Sequence, residues 1–207
     1  MEKLKIGIMG GTFNPIHIGH LIIAEKAREH FNLNKVFFIP TGKSPHKNDG
    51  EIISKIHRSR MVKMALSTNS NFEYCGIEVD SDEISYSYNT IKKLISIYND
   101  IEFYYIMGED SFMSIETWYK YNEFLESVFV IIVRRNLKAD DINLRKIYSK
   151  VKIYEKNSKG IFVIDDFNIG ISSSMIRNLI KNNQSVRYMV TDDVYDYIKK
   201  EKLYIYD

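Results

Sequence analysis

The stretch that decides the fold is Gly10-Gly11-Thr12-Phe13-Asn14-Pro15-Ile16-His17-Ile18-Gly19-His20. The mostly apolar residues 4–9 before it predict a short buried strand, and residues 21–31 after it carry apolar side chains at helical spacing. A glycine-rich turn therefore joins a strand to a helix. Because a helix N-terminus presents unpaired backbone N–H groups and the positive end of a dipole, the sequence predicts a phosphate site at this turn.

Two histidines, His17 and His20, stand at the start of the predicted helix. Residues three apart share one face of a helix, so both imidazoles can donate hydrogen bonds to the same phosphate. Metal ligation is the alternative interpretation. It is disfavoured because a structural zinc site needs further Cys or His ligands, and Cys75 is the only cysteine of the chain.

Composition bounds the class of protein. The chain has 207 residues, which predicts one domain spanning residues 1–207, and a formal net charge of only +2. The balanced charge argues against a nucleic-acid partner. No apolar run approaches the length of a membrane span, and the N-terminus does not resemble a signal peptide. With a single cysteine, the chain is expected to be cytoplasmic and free of internal disulfides.

Buried strands and helices alternate along the chain, which predicts an α/β fold. We expect a Rossmann-like, doubly wound parallel sheet flanked by helices, with ligands at the carboxyl ends of the strands and a small helical C-terminal part. After Arg134 the pattern loosens. The further strands are predicted at residues 36–40, 101–107, 127–133 and 161–164, with an extended segment at 71–79. The further helices are predicted at residues 57–67, 88–98, 109–124 (interrupted), 174–181 and 192–200.

The opening stretch resembles the signature of the nucleotidylyltransferase superfamily, Gly-x-Phe-Asp-x-x-His/Thr-x-Gly-His. It departs from that signature at Asn14, where the family usually has Asp. Later segments resemble the nicotinate-nucleotide adenylyltransferase branch, in order and along essentially the whole chain. These segments are residues 40–47 (Pro-Thr-Gly-Lys-Ser-Pro-His-Lys), 84–88 (Ile-Ser-Tyr-Ser-Tyr), 106–111 with Trp118, 133–135, 171–177 (Ile-Ser-Ser-Ser-Met-Ile-Arg) and 202–204.

The resemblance implies transfer of the AMP moiety of ATP to nicotinate mononucleotide, giving deamido-NAD and pyrophosphate in NAD biosynthesis. It implies that His17, His20, Lys47 and Arg177 are catalytic, as donors to the phosphates, with His20 the larger contributor of the two histidines. The implied ATP-binding residues are Gly10, Gly11, Thr12, Phe13, Gly19, His20, Gly108, Asp110, Arg134, Ser172, Ser173, Ser174 and Arg177. Alternative interpretations stay open, because Ser172 to Ser174 are also good helix N-caps and Asp110 also suits the start of its own helix.

The resemblance also implies a pocket for the nicotinate nucleotide. Its members are Thr12, Lys47, Tyr86, Ser87 and Trp118. Trp118 is implied to stack on the cationic nicotinate ring, although a lone tryptophan is more often part of a core. Ser87 stands where the family has Thr, beside backbone N–H groups that receive the nicotinate carboxylate. Such donors suit an acid better than an amide.

ATP and nicotinate mononucleotide are thus the expected partners, with Mg²⁺ bound to ATP through phosphates and water. The sequence leaves a homo-oligomer open. Alternatives are another acceptor, such as nicotinamide mononucleotide or phosphopantetheine, and a non-catalytic nucleotide sensor on the same fold. An aminoacyl-tRNA synthetase shares the His-Ile-Gly-His string but would carry a longer chain with a basic tRNA-binding part.

Overall fold

The strands in the described part of the chain form a six-stranded parallel sheet with the order β3-β2-β1-β4-β5-β6. The computed structural model describes residues 3–44, 52–134, 142–165 and 169–205. The strands are β1 (Leu4–Gly11), β2 (Lys35–Pro40), β3 (Phe72–Tyr74), β4 (Ile101–Gly108), β5 (Phe129–Val133) and β6 (Ile161–Ile164). The helices are α1 (Ile18–His30), α2 (Lys55–Leu66), α3 (Ser87–Ile97), α4 (Glu109–Met113), α5 (Tyr121–Ser127), α6 (Ile142–Tyr154), α7 (Ser173–Lys181) and α8 (Asp192–Lys200).

The strand order places a binding crevice between β1 and β4. Chain order reverses there, because β1 leads to β2 on one side while β4 leads to β5 on the other. In the register, Gly11 at the end of β1 lies opposite Pro40 at the end of β2, and Ile8 lies opposite Tyr105 of β4. Open parallel sheets bind ligands at such a reversal, beyond the carboxyl ends of the strands.

Both faces of the sheet are buried, as expected for parallel strands. One face packs against α1, α2, α7 and α8, with core side chains such as Ala27, Val62 and Val194. The other face packs against α3, α5 and α6, with core side chains such as Leu94 and Phe124. The predicted doubly wound sheet and the helical C-terminal part are confirmed. No helix among the described residues is long and apolar enough to cross a membrane.

Several predicted boundaries are wrong. Strand β1 continues to Gly11, and only residues 72–74 of the extended segment join the sheet. The helix predicted at residues 109–124 is interrupted, as expected, by a 3-10 turn at Ile115–Thr117. Ser127 ends α5 instead of starting β5. Helix α6 was not predicted, because only Ile147 of its thirteen residues is fully buried and exposed Ile142 and Ile153 blur its pattern.

Candidate active site

A cavity of about 480 Å³ opens at the crevice between β1 and β4. Its volume lies within the range of small-molecule sites. Most of the predicted site residues line it: Gly10, Gly11, Thr12, Phe13, His20, Tyr86, Ser87, Gly108, Trp118, Ser172, Ser173, Ser174 and Arg177. Thr41 and Ser44 line it as well, so the fold brings together five of the separate segments quoted from the sequence.

Four of the predicted site residues lie in the described part of the chain but do not line this cavity: His17, Gly19, Asp110 and Arg134. One more predicted site residue, Lys47, lies outside the described residues. His17 is buried, and its ring stacks on that of His20 with centroids 3.6 Å apart. A Cβ atom on Gly19 would lie 3.0 Å from His17 Nδ1, so Gly19 makes room for the His17 ring. The catalytic role assigned to His17 and the ATP-binding role assigned to Gly19 stay predictions.

Asp110 and Arg134 also lie away from the cavity lining. Asp110 is exposed in the first turn of α4, while its neighbour Ser111 lines the cavity. Arg134 is buried after β5, with its Nε atom 3.5 Å from Glu109 Oε2. The roles assigned to both residues in ATP binding stay predictions.

The histidine pair has a defined orientation. His17 is the N-cap of α1, and its backbone N–H donates to His20 Nδ1 at 3.2 Å. In a neutral imidazole one ring nitrogen accepts and the other carries the proton. Because Nδ1 of His20 accepts, Nε2 carries the proton and is the edge that can donate to a ligand. The ring of Phe13 packs edge-on against His20, with centroids 5.1 Å apart, and fixes this orientation further.

The N-terminus of α7 is joined to the turn after β1. Ser172 caps α7, since its Oγ accepts from the Met175 N–H at 3.2 Å. Ser173 Oγ donates to the Pro15 carbonyl, and Arg177 Nη1 donates to the Asn14 carbonyl, each at 2.9 Å. The structure thus supports the capping interpretation for Ser172, while Arg177 is held at the cavity wall as a charged donor.

The far end of the cavity is aromatic and adjoins the N-terminus of α3. Trp118 packs edge-on against Tyr105, with ring centroids 6.0 Å apart. The ring centroids of Tyr119 and Tyr86 are 4.6 Å apart. Ser87 Oγ lies 3.2 Å from the Tyr105 hydroxyl. Burial raises the pKa of Tyr105, so its hydroxyl stays protonated at neutral pH. The N-cap residue of α3, Tyr86, makes no side-chain capping hydrogen bond.

Sequence reasoning missed Tyr119 and Arg58. Tyr119 lines the cavity beside Trp118, and its position next to that tryptophan was the only available signal. Arg58 of α2 is buried, and its guanidinium donates to the carbonyls of Thr12 and Thr41, each at 2.7 Å. The helical spacing of Met61, Val62 and Ala65 places position 58 on the buried face of α2, whereas Arg60 is exposed, and this spacing was the signal that could have found Arg58.

Comparisons with known proteins agree with this geometry. A cytidylyltransferase-like family model matches residues 8–179. A relative from Carboxydothermus hydrogenoformans, named "Probable nicotinate-nucleotide adenylyltransferase", is 37% identical over 99% of this chain and 100% of its own length. A relative of the same name from Dictyoglomus thermophilum is 38% identical over 98% of this chain and 100% of its own length.

The chain belongs to the nicotinate-nucleotide adenylyltransferase family. The same fold occurs in the nicotinic acid mononucleotide adenylyltransferase of Plasmodium falciparum, solved in complex with NaAD. That structure superposes with a TM-score of 0.79 at 20% identity and covers 97% of both chains. The structure of the same enzyme complexed with APC gives a TM-score of 0.75.

The geometry also explains Asn14, which departs from the Asp usual in the superfamily to which the nicotinate-nucleotide adenylyltransferases belong. Asn14 is buried, and its Oδ1 accepts a hydrogen bond from the Tyr204 hydroxyl at 3.1 Å. This contact needs an acceptor and no negative charge. Asn supplies the acceptor as Asp would.

Proposed function

We propose that this chain transfers the AMP moiety of ATP to nicotinate mononucleotide. A phosphate oxygen of the mononucleotide forms a bond to the α-phosphorus of ATP, and the bond from that phosphorus to the bridging oxygen breaks. Pyrophosphate leaves with that oxygen and its electron pair, and deamido-NAD remains. The observation that carries the proposal is one cavity with phosphate donors at one end and an aromatic wall at the other.

The attacking phosphate is already anionic, so the reaction needs no general base. The protein must hold two anions that repel each other and stabilise the charge that develops on the transferred phosphoryl group. We assign this task to the His20 Nε2–H group, to Arg177 and to the backbone N–H groups of the turn after β1. His17 acts behind His20, through ring stacking and its backbone N–H.

The aromatic end suits the nicotinate ring. The ring nitrogen is alkylated and cationic in the mononucleotide, so an indole face such as that of Trp118 attracts it by roughly 0.5–2 kcal/mol. The N-terminus of α3, with Ser87, offers donors to the nicotinate carboxylate. We propose Lys47 as a further contact to the phosphates.

We propose that Mg²⁺ arrives bound to ATP. Among the described residues no group of three His, Cys, Asp or Glu side chains could hold a metal ion, and none of the residues that line the cavity is acidic. This donor set fits an ion held by phosphate oxygens and waters. When bound, the ion neutralises charge on the β- and γ-phosphates.

Pyrophosphate release tests the proposal. Purified protein with Mg-ATP is offered nicotinate mononucleotide, nicotinamide mononucleotide, phosphopantetheine or an amino acid. We expect the fastest release, together with deamido-NAD, for nicotinate mononucleotide. ATP binding without release for any acceptor would support a nucleotide sensor instead, and preference for another acceptor would change the assigned substrate.

A further inference from the structure

Buried Arg58 is a cation that the chemistry above does not use. Only 3% of it is exposed, and it does not line the active cavity. Within the described residues its recorded acceptors are all backbone carbonyls, and they belong to three separate segments. They are Thr12 O at 2.7 Å, Thr41 O at 2.7 Å, Gly42 O at 3.3 Å and Ile53 O at 3.2 Å. A buried charge without a direct ion pair is costly, so its place in the fold calls for a reason.

The bond to the Thr12 carbonyl sets the direction of the next amide. In a trans peptide the C=O and the following N–H point in opposite directions. The Arg58 guanidinium thereby fixes the direction of the Thr12 carbonyl and, through the shared peptide, that of the Phe13 N–H in the turn that lines the cavity. Phe13 has a φ of 48°, in the left-handed region that residues other than glycine rarely adopt. The guanidinium therefore holds a backbone conformation that the chain alone would not favour.

The bonds to Thr41 and Gly42 extend this link toward the aromatic end. On the opposite side of the Thr41-Gly42 peptide, the Gly42 N–H donates to Ser85 Oγ at 3.1 Å. Burial raises the pKa of the Glu78 carboxyl, and hydrogen bonds from Thr90, Ser85 and the Gly42 backbone partly offset that rise. Glu78 accepts from Thr90 Oγ1 of α3 at 2.7 Å. A Cβ atom on Gly42 would lie 2.1 Å from the Glu78 carbonyl oxygen, so only glycine permits this approach.

We propose that Arg58 is a positioning residue that keeps the phosphate-binding turn and the nicotinate end of the cavity in fixed register, by joining Thr12 to the Thr41-Gly42 peptide. The proposal rests on the function proposed above. Loss of the bridge misaligns the two substrates, so turnover falls further than affinity for ATP does. Arginine is needed because its planar fork spans several carbonyls, whereas the lysine ammonium is a single point.

The test compares Arg58→Lys and Arg58→Met with Arg60→Lys and Arg60→Met. Arg60 lies two residues away on α2 and is exposed, so its variants are matched controls. We expect Arg58→Lys to lower kcat by about 100-fold, because misplacement by about 1 Å costs that much. The dissociation constant for ATP, measured without the acceptor, should change by less than about threefold. The Arg60 variants should retain the wild-type kcat.

Two further measurements separate positioning from mere stability. Melting curves give the folded fraction of each variant, and Glu78→Gln tests the opposite side of the same peptide without changing side-chain size. We expect Glu78→Gln to raise the KM for nicotinate mononucleotide severalfold and to leave ATP binding unchanged. A folded Arg58→Lys variant with the wild-type kcat would overturn the proposal. Absence of turnover in the wild type would refute the proposed function itself, and the role of Arg58 would fall with it.

Discussion

The chemistry proposed above uses one edge of the His20 imidazole as a donor to the phosphates. His20 accepts the His17 N–H at Nδ1, and this contact leaves Nε2 as the proton-bearing edge. A histidine pair at the start of a helix is visible in the sequence. The sequence does not show which nitrogen carries the proton, because the tautomer depends on a backbone contact that forms only when His17 becomes the N-cap of α1.

Substitution of His20 by Gln and by Asn should therefore have unequal effects. Gln places its side-chain N–H₂ near the position of Nε2, whereas Asn ends near the position of Nδ1. We expect His20→Asn to lower kcat by roughly 10²–10³-fold, the usual cost of losing one transition-state donor, and His20→Gln to lower it by about tenfold. Steady-state kinetics with nicotinate mononucleotide measures both values.

His30→Asn is the control for this prediction, since His30 is exposed at the far end of the same helix. If His20→Asn and His20→Gln lower kcat by the same factor, the assigned tautomer is wrong.

Among individual residues, the sequence predicted what carries a recognisable pattern. Thirteen of the residues assigned to the site from the sequence line the cavity. Arg58 was missed although it lies three and four residues before Met61 and Val62 on the buried face of α2, because a charged side chain at such a position does not by itself indicate which carbonyls it reaches. His17 stacks on His20 and Gly19 packs against His17, outside the cavity lining, and the roles predicted for both residues stay predictions.

At the scale of elements, the N-terminus of α3 should determine the choice between acid and amide. Its first N–H groups, with Ser87, suit a carboxylate. We expect kcat/KM for nicotinate mononucleotide to exceed that for nicotinamide mononucleotide by about 10–100-fold, since hydrogen bonds to charged groups are worth about 1.5–3 kcal/mol. Ser87→Ala should narrow this ratio severalfold.

Ser96→Ala provides the matched control, because Ser96 is exposed at the other end of α3 and its hydroxyl donates to the Lys93 carbonyl of the same helix. A wild-type ratio near one, or a ratio unchanged in Ser87→Ala, would contradict this role of the helix.

Elements with a strong apolar period were predictable, and weakly buried ones were not. Strands β2 and β6 fall where their apolar runs predicted them. Helix α6 does carry Leu144, Ile147 and Val151 at helical spacing, but apolar side chains on its exposed face hide that stripe. Periodicity identifies a buried face only when the opposite face is polar.

At the scale of the whole molecule, a contact between residues 190 positions apart joins the C-terminal segment to the signature turn. Tyr204 is buried, and its hydroxyl donates to Asn14 Oδ1. We expect Tyr204→Phe to lower the free energy of unfolding by about 1 kcal/mol, and Asn14→Leu to lower it by about 1–3 kcal/mol because it removes a buried acceptor. Asn14→Asp keeps the acceptor and should stay within about 1 kcal/mol of the wild type. Urea denaturation measures all three.

Tyr188→Phe is the control here, because Tyr188 is 83% exposed. If Tyr204→Phe is as stable as Tyr188→Phe, the contact contributes nothing measurable to the fold.

The anchoring of the signature turn has a consequence for the thermodynamics of nucleotide binding. The carbonyls of Thr12, Asn14 and Pro15 are each engaged by a donor from another element: Arg58, Arg177 and Ser173. Fixing the backbone of one residue costs about 1–2 kcal/mol of conformational entropy, and here that loss is incurred when the chain folds. ATP therefore meets a turn that is already ordered. Its association should therefore show only a small entropic penalty, because the turn that receives the phosphates is ordered before ATP arrives.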